Sequence, residues 1–238
     1  MTRAGPDDGD PLAGSSWSRP ETVAGFARSA PNAALMQCAA REMDAGSTQL
    51  LDIGCGAGRN LVPLARLGWQ AVGVDLSLPM IAAAAARVRD EHLETRLRLA
   101  LAGMHALPFP ARSFDFIIAH GIWNLARSGR EFRLALAEAG RVARPGSALF
   151  VFTFSRHTLP PDAPPVPDES FVFTQFSGER QCFLTAEELV TELGAAGFLP
   201  DPSSPLRELN RPTPGTLYAG GAPVIYEGVF RYAAGVAC

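Results

Sequence analysis

The sequence contains no lysine: all 21 of its basic residues are arginine. A chain without lysine forms no Schiff base with a carbonyl substrate, anchors no pyridoxal cofactor and carries no phosphate-loop lysine. Cysteine is scarce as well. Cys38, Cys55, Cys182 and Cys238 make no C-x-x-C pair and no zinc spacing, so reduced thiols packed as small apolar side chains are expected. Charge of either sign is limited, with 21 basic against 24 acidic residues and a net charge of −3. No arginine cluster or basic-aromatic alternation stands out, which argues against a nucleic acid partner. Apolar runs fall far short of a membrane span, and "MTRAGPDDGDPLAGSS" has acids and Pro/Gly where a signal peptide needs an apolar core. A soluble cytoplasmic protein, monomer or homodimer, with no membrane partner is expected.

What remains is enough for a full core. At 238 residues and 47% apolar, the chain suits one large α/β domain that buries roughly 70% of its unfolded surface. Val23, Phe26, Ala27, Leu35, Met36, Ala39, Ala40 and Met43 have helical spacing, interrupted at Pro31. Then strand and helix signals alternate. "TQLLDI" reads as a buried strand and "GRNLVPLARLG" as a helix; "QAVGVD" is a second strand, after which Ser77 caps a helix that tolerates Pro79 in its first turn. "RLRLALA", "SFDFIIAH" and "ALFVFTF" supply three further strands, the last preceded by the helix "REFRLALAEAGRVA" ending at "RPGS". Such alternation predicts a doubly wound, Rossmann-like parallel sheet. The C-terminal third departs from it: a proline-rich stretch, a hairpin in "FVFTQFSGERQCFL", a helix with Thr185 and Glu188 in capping-box register, and the strand "PVIYEGVFRY".

The strand-to-helix turn "LLDIGCGAGRN" carries Gly54, Gly56 and Gly58. Glycine there allows positive φ and lets a ligand approach main-chain atoms. A dinucleotide loop places its third glycine one position later, where this chain has Arg59. Ligands of open α/β sheets sit beyond the carboxyl ends of the strands, which here means the glycine turn, Asp75, "AGMHALPF" and "HGIWN". Asp75, ending the second strand, suits a ribose with its two hydroxyls.

In order along the chain, "LLDIGCGAGRN", "AVGVDLS", "ALPFPARSFDFII", "EAGRVARPGSALFVFTF" and "FLTAEELVTELGAAGF" resemble the class I S-adenosylmethionine-dependent methyltransferases of small-molecule type, over about residues 45–200. The resemblance implies a seven-stranded, mostly parallel sheet with an antiparallel C-terminal strand. It implies residues 1–45 as an N-terminal segment with lid helices, and 46–238 as the cofactor-binding domain with a substrate-covering insertion at 155–183. It also implies S-adenosylmethionine as cofactor, held by Asp52, Gly54, Cys55, Gly56, Gly58, Asn60, Asp75, Leu76, Met80, Met104, His105 and His120. Asp52 would orient the cofactor's amino group and Asp75 its ribose. Where many relatives carry an acidic residue beside the adenine, this chain has Gly103.

A sulfonium methyl is already activated, so the protein chiefly excludes water and aligns a small-molecule acceptor. His120 and His157 are the candidate bases for an acceptor oxygen, nitrogen or sulfur that must lose a proton. Trp123, Asn124, Arg156, Phe176 and Arg180 are candidates for the acceptor pocket. No Asn/Asp-Pro-Pro-aromatic run follows the fourth strand, and "TFSRH" ends the fifth without the Asp-Asn of metal-dependent catechol enzymes, so no metal is expected. The alternatives are a nicotinamide-dependent oxidoreductase and a cofactor-binding module without turnover.

Overall fold

The structure is a computed structural model that describes residues 10–211 and 222–233; Cys238 lies outside them. The chain divides into two compact units, residues 1–108 with 114–116, and 109–113 with 117–238.

The first unit opens with α1 (Pro20–Arg28) and α2 (Ala33–Asp44), broken where the sequence places Pro31, with Asn32 capping α2 by accepting from the Leu35 N–H. β1 (Gln49–Ile53), β2 (Gln70–Asp75) and β3 (Leu97–Leu101) follow, joined by α3 (Leu61–Arg66) and α4 (Leu78–Asp90). β1 pairs with β2 and β2 with β3, all parallel, in the register Leu51–Val72 and Gly73–Leu99. β1 is buried after its first residue, as a strand covered on both faces requires. Ser77 caps α4 by accepting from the Met80 N–H, with proline in the first turn. Asp115, at the start of β4 (Phe114–His120), accepts from the N–H groups of Thr48 and Gln49, fixing the entry to β1.

The second unit holds α5 (Gly129–Val142), β5 (Ala143–Phe154), a two-stranded hairpin of β6 (Val172–Phe173) and β7 (Gln181–Cys182), α6 (Ala186–Ala195), β8 (Phe198–Pro200), β9 (Arg207–Leu209) and β10 (Ile225–Tyr232). β5 begins at Ala143, before the expected "ALFVFTF", because the helix passes directly into ladder: the N–H groups of Arg112 and Ser113 donate to the carbonyls of Arg141 and Val142. Thr185 and Glu188 form the expected capping box on α6.

The main sheet has eight strands rather than seven, in the order β3-β2-β1-β4-β5-β10-β8 with β9 also on β10, and is Rossmann-like, mostly parallel and closed by antiparallel β10. β8 and β9 share one edge of β10, β9 at Ile225–Glu227 and β8 at Phe230–Tyr232. Each is three residues long in a proline-rich segment, which hides the strand pattern.

Candidate functional site

The glycine turn is built as its sequence requires. Gly54, Gly56 and Gly58 have φ of 73°, 53° and 75°, and the N–H groups of Gly54 and Cys55 both donate to the Val74 carbonyl, which ties the turn to β2. A Cβ on Gly58 would stand 2.9 Å from Val62 Cγ2, so the helix start packs directly on that residue. Over Gly56 a Cβ would meet only Phe26 Cδ1 at 3.7 Å and Met80 Sδ at 3.9 Å, an apolar edge around open main chain. Cys55 presents only its backbone there. Its sulfur lies against Gly73, where an added Cβ would be 2.7 Å away, and burial followed by the charges of Asp52 and Asp75 pushes the thiol far above its ordinary range.

Two carboxylates flank the turn. Asp75 Oδ2 accepts from the Gly56 N–H at 2.9 Å and Oδ1 from the Ser77 N–H at 2.8 Å, so it links both loops. Burial raises its pKa against those bonds. Asp52 is 2% exposed, its Oδ1 has no hydrogen-bond partner among the described residues, and burial, then the charge of Asp75, push its carboxyl up to about 8 against the pull of Arg59.

Around these groups the N-terminal segment is pinned down. Asp10 accepts from Ser18 Oγ at 2.5 Å and from the N–H groups of Leu12 and Leu78, Ser77 Oγ donates to the Trp17 carbonyl, and Trp17 meets Phe26 edge-on at 5.8 Å. Asn60 Oδ1 accepts from the Asn32 N–H, tethering the same region. Met80 is buried, as is Met104. The His105 ring takes the space over Gly103, where a Cβ would lie 3.0 Å from its Cε1 and 3.6 Å from Leu76 Cδ1.

In the second unit, His120 ends β4 and stacks on Phe152 at 4.1 Å and 10°. Trp123 and Asn124 are buried in a short 3-10 turn; Trp123 packs edge-on to Phe132, and Asn124 Oδ1 has no partner among the described residues. Arg156 lies 4.7 Å over the Phe173 ring and donates to the carbonyls of Leu159, Pro160, Pro161 and Ala163, organising the proline-rich loop. Phe176 is 45% exposed yet leans on Phe154 and Phe183, and Arg180 is exposed. His157 Nδ1 lies 2.6 Å from Glu208 Oε1.

Residues 51–151 match the family described as a methyltransferase domain. That segment holds the glycine turn, both carboxylates and the strands that carry them. By that match the segment is similar to methyltransferase domains. The chain is 36% identical over 115 residues to a ubiquinone/menaquinone biosynthesis C-methyltransferase (UbiE) of Bradyrhizobium diazoefficiens, covering 47% of this chain and 44% of that protein. The chain thus spans less than half the length of that relative. Among solved structures, the [4+2]-cyclase SpnF superposes with a TM-score of 0.65 at 22% identity over 88% of this chain and 85% of that one. The Burkholderia thailandensis 1,6-didemethyltoxoflavin-N1-methyltransferase, solved with S-adenosylhomocysteine, gives 0.62 at 20% identity over 84% and 79%. These two likenesses describe the fold.

The cofactor that the resemblance implies is S-adenosylmethionine. The residues around the glycine turn fit that molecule on their own chemistry: Asp52 offers a buried acceptor with no donor among the described residues, the partner a cationic amino group needs, and the Gly56 main chain lies open beside the apolar edge of Phe26 and Met80. Phe26, Asp10 and Arg59 stand beside these groups and were not read from the sequence as cofactor-binding candidates. Only Arg59, in the third-glycine slot, had a sequence signal. Glu208 had none.

Proposed function

We propose that this methyltransferase domain transfers methyl from S-adenosylmethionine to a small-molecule acceptor in the cytoplasm. The observation that carries the reading is the pairing of Asp52, buried with an unpartnered oxygen, with Asp75 across one glycine turn. When bound, the cofactor supplies an activated sulfonium methyl. Asp52 holds its amino group and Asp75 its ribose, while the main chain of Gly54, Cys55, Gly56 and Gly58 admits the methionine portion. Leu76, Met80, Met104 and His105 border the adenine, and Asn60 supports the turn through Asn32.

On the acceptor side we assign His120 and His157 as proton-handling groups, with Trp123, Asn124, Phe176 and Arg180 as candidate lining. Arg156 acts there by shaping the loop. The partnerless Asn124 Oδ1, buried, suits an acceptor N–H or O–H. The acceptor atom is an oxygen, nitrogen or sulfur, or a carbon made nucleophilic by loss of a neighbouring proton; the C-methyltransferase name of the Bradyrhizobium relative favours adding carbon to that set.

The test is calorimetry followed by turnover. S-adenosylhomocysteine should bind and NAD should not, and mass spectrometry should find a methylated product from a panel of phenols, enols, amines and thiols. Binding of NAD alone would replace this reading with an oxidoreductase. Cofactor binding with no product from any acceptor would leave a module without turnover.

A further inference from the structure

Within the first unit, residues 10–28 are docked on the fold but not packed into it. They comprise a loop with a 3-10 turn at Ser16–Ser18 and the helix α1, and none of them is buried, whereas α2, next in the chain, buries Leu35, Cys38, Ala39 and Glu42. Val23, Phe26 and Ala27 make one apolar face of α1, yet each stays half-buried. A short helix depends on burial of that face, so this one is held only in part by the surface beneath it.

The remaining attachments are polar and gather at the loop after β2. Asp10 Oδ1 accepts from the Leu78 N–H at 3.0 Å, and the preceding N–H, that of Ser77, is the one that Asp75 Oδ1 takes at 2.8 Å. Two carboxylates therefore share the start of α4, one from the N-terminal segment and one from the cofactor turn. Asp10 Oδ2 accepts from Ser18 Oγ at 2.5 Å, which folds residues 10–18 back on themselves, and Ser77 Oγ donates to the Trp17 carbonyl at 3.2 Å. Trp17 backs Phe26 edge-on, and Phe26 Cδ1 would lie 3.7 Å from a Cβ on Gly56. The far end is fixed separately, since Asn32 caps α2 and its N–H donates to Asn60 Oδ1. Between the two anchors Ser29, Ala30 and Pro31 are exposed, and Ser29 leaves the helix with extended backbone.

We propose that residues 10–28 are a latched cover over the glycine turn: Asp10 is the latch, Ser29–Pro31 the pivot, and Phe26 a cofactor-binding residue whose apolar face the bound cofactor completes. The inference rests on the reading of S-adenosylmethionine as the ligand of that turn. A molecule lying on the Gly56 main chain and reaching Asp75 touches the two places where the segment is attached, the Phe26 ring and the loop that carries Ser77 and Leu78. Binding adds apolar contact to the face of α1 that is short of it, so the closed cover is favoured more strongly over an occupied turn than over an empty one. Entry and release of the cofactor require the cover to lift, so the Asp10 latch sets their rate. A permanent wall of the site would be packed as α2 is.

Trp17 supplies a readout, because the other two tryptophans, Trp69 and Trp123, are 0% and 1% exposed and shielded from an ionic quencher. Iodide quenching and hydrogen exchange over residues 10–28 are compared in the parent, Asp10→Ala, Asp10→Asn and Phe26→Ala, with Trp17→Phe to confirm the source of the fluorescence change. S-adenosylhomocysteine should protect Trp17 from iodide and slow exchange across residues 10–28 of the parent. Asp10→Ala should leave Trp17 more open to iodide in the free protein and speed release of S-adenosylhomocysteine by about tenfold, with protection regained at saturation. Asp10→Asn should recover part of the slow release, since its amide oxygen still accepts from Leu78. Phe26→Ala should weaken binding and lose most of the ligand-dependent slowing of exchange. The proposal is overturned if S-adenosylhomocysteine binds with quenching and exchange of the segment unmoved, if Asp10→Ala releases it at the parent's rate, or if Phe26→Ala keeps the full slowing; each outcome makes the segment a fixed wall or places its contact elsewhere. Failure of the parent to bind S-adenosylhomocysteine at all would instead strike the cofactor reading, and the cover with it.

Discussion

The Asp75 carboxylate adds its charge to the burial that pushes the Asp52 carboxyl up to about 8, and Asp52 answers with an oxygen that no donor among the described residues meets. The two belong to one electrostatic unit at the carboxyl ends of neighbouring parallel strands. Near neutral pH, Asp52 is then mostly protonated in the free protein. A cationic amino group arriving at Oδ1 favours the ionised form, so ligand binding expels a proton. Calorimetry of S-adenosylhomocysteine in buffers of different ionisation heat should register release approaching one proton at pH 7, with affinity rising from pH 6 towards 8. Asp52→Asn should abolish the release.

The same shift carries a stability consequence with a fixed sign. Asp52 binds its proton more tightly folded than unfolded, so without cofactor the folded state loses stability as pH rises from the ordinary carboxyl range near 3.8 to about 8, at up to about 1.4 kcal/mol per pH unit for one proton. Asp52→Asn should flatten that part of the stability curve, and saturating S-adenosylhomocysteine should flatten it as well. A thermal-shift series across pH reads both; an unchanged slope in Asp52→Asn would place the titration elsewhere.

Asp75→Ala and Asp115→Ala should separate binding from folding. Asp75 joins Gly56 to Ser77, and removing it takes away acceptors for ribose and leaves those two N–H groups without their partner. Charge-assisted bonds are worth roughly 1.5–3 kcal/mol each, so cofactor Kd should rise by at least about tenfold. Asp115 accepts from Thr48 and Gln49 at the opposite end of β1, so Asp115→Ala should lower stability by roughly 1–3 kcal/mol and leave cofactor affinity alone. Paired denaturation and calorimetry distinguish the two outcomes.

The parts of this fold that were legible are those whose signals are local. Apolar alternation located β1 to β4, Ser77 and the Thr185–Glu188 pair marked their helix starts, and the glycines marked the turn because each needs positive φ. β8 and β9 were not legible, since three-residue strands among prolines exist only through β10. The Glu208–His157 pair, 51 residues apart, depends on that same edge and so was hidden with it. The resemblance put Asn60 among the cofactor residues; its Oδ1 also holds the Asn32 N–H, a partner that periodicity cannot reveal.

Gly73 carries no strain in its backbone, but it is where the turn rests on the sheet. An added Cβ would lie 2.4 Å from Leu61 Cδ2 and 2.7 Å from Cys55 Sγ, both side chains being fully or nearly buried. Gly73→Ala should therefore overpack the floor of the cofactor turn, costing roughly 1–3 kcal/mol of stability and weakening S-adenosylhomocysteine binding through displaced Cys55 main chain. Gly146→Ala, with positive φ and open space around its Cβ, is the comparison: it should lose stability with no change in cofactor affinity.

Arg156 tests whether the proline-rich loop after β5 is held by one side chain. Its two terminal nitrogens donate to carbonyls of Pro160, Pro161 and Ala163 at 3.0–3.1 Å while the guanidinium plane rests on Phe173, so a single planar fork satisfies backbone groups that prolines leave without a ladder. Arg156→Ala should remove these bonds together and expose the loop to limited proteolysis between residues 159 and 169, with S-adenosylhomocysteine affinity retained. Arg156→Lys should fail to restore protection, since an ammonium supplies neither the fork nor the flat stacking surface. Arg180→Ala, a change at an exposed position just before β7, should leave the cleavage pattern as it is in the parent. Equal protease resistance in Arg156→Ala and the parent would mean that the proline-rich segment is rigid without the arginine.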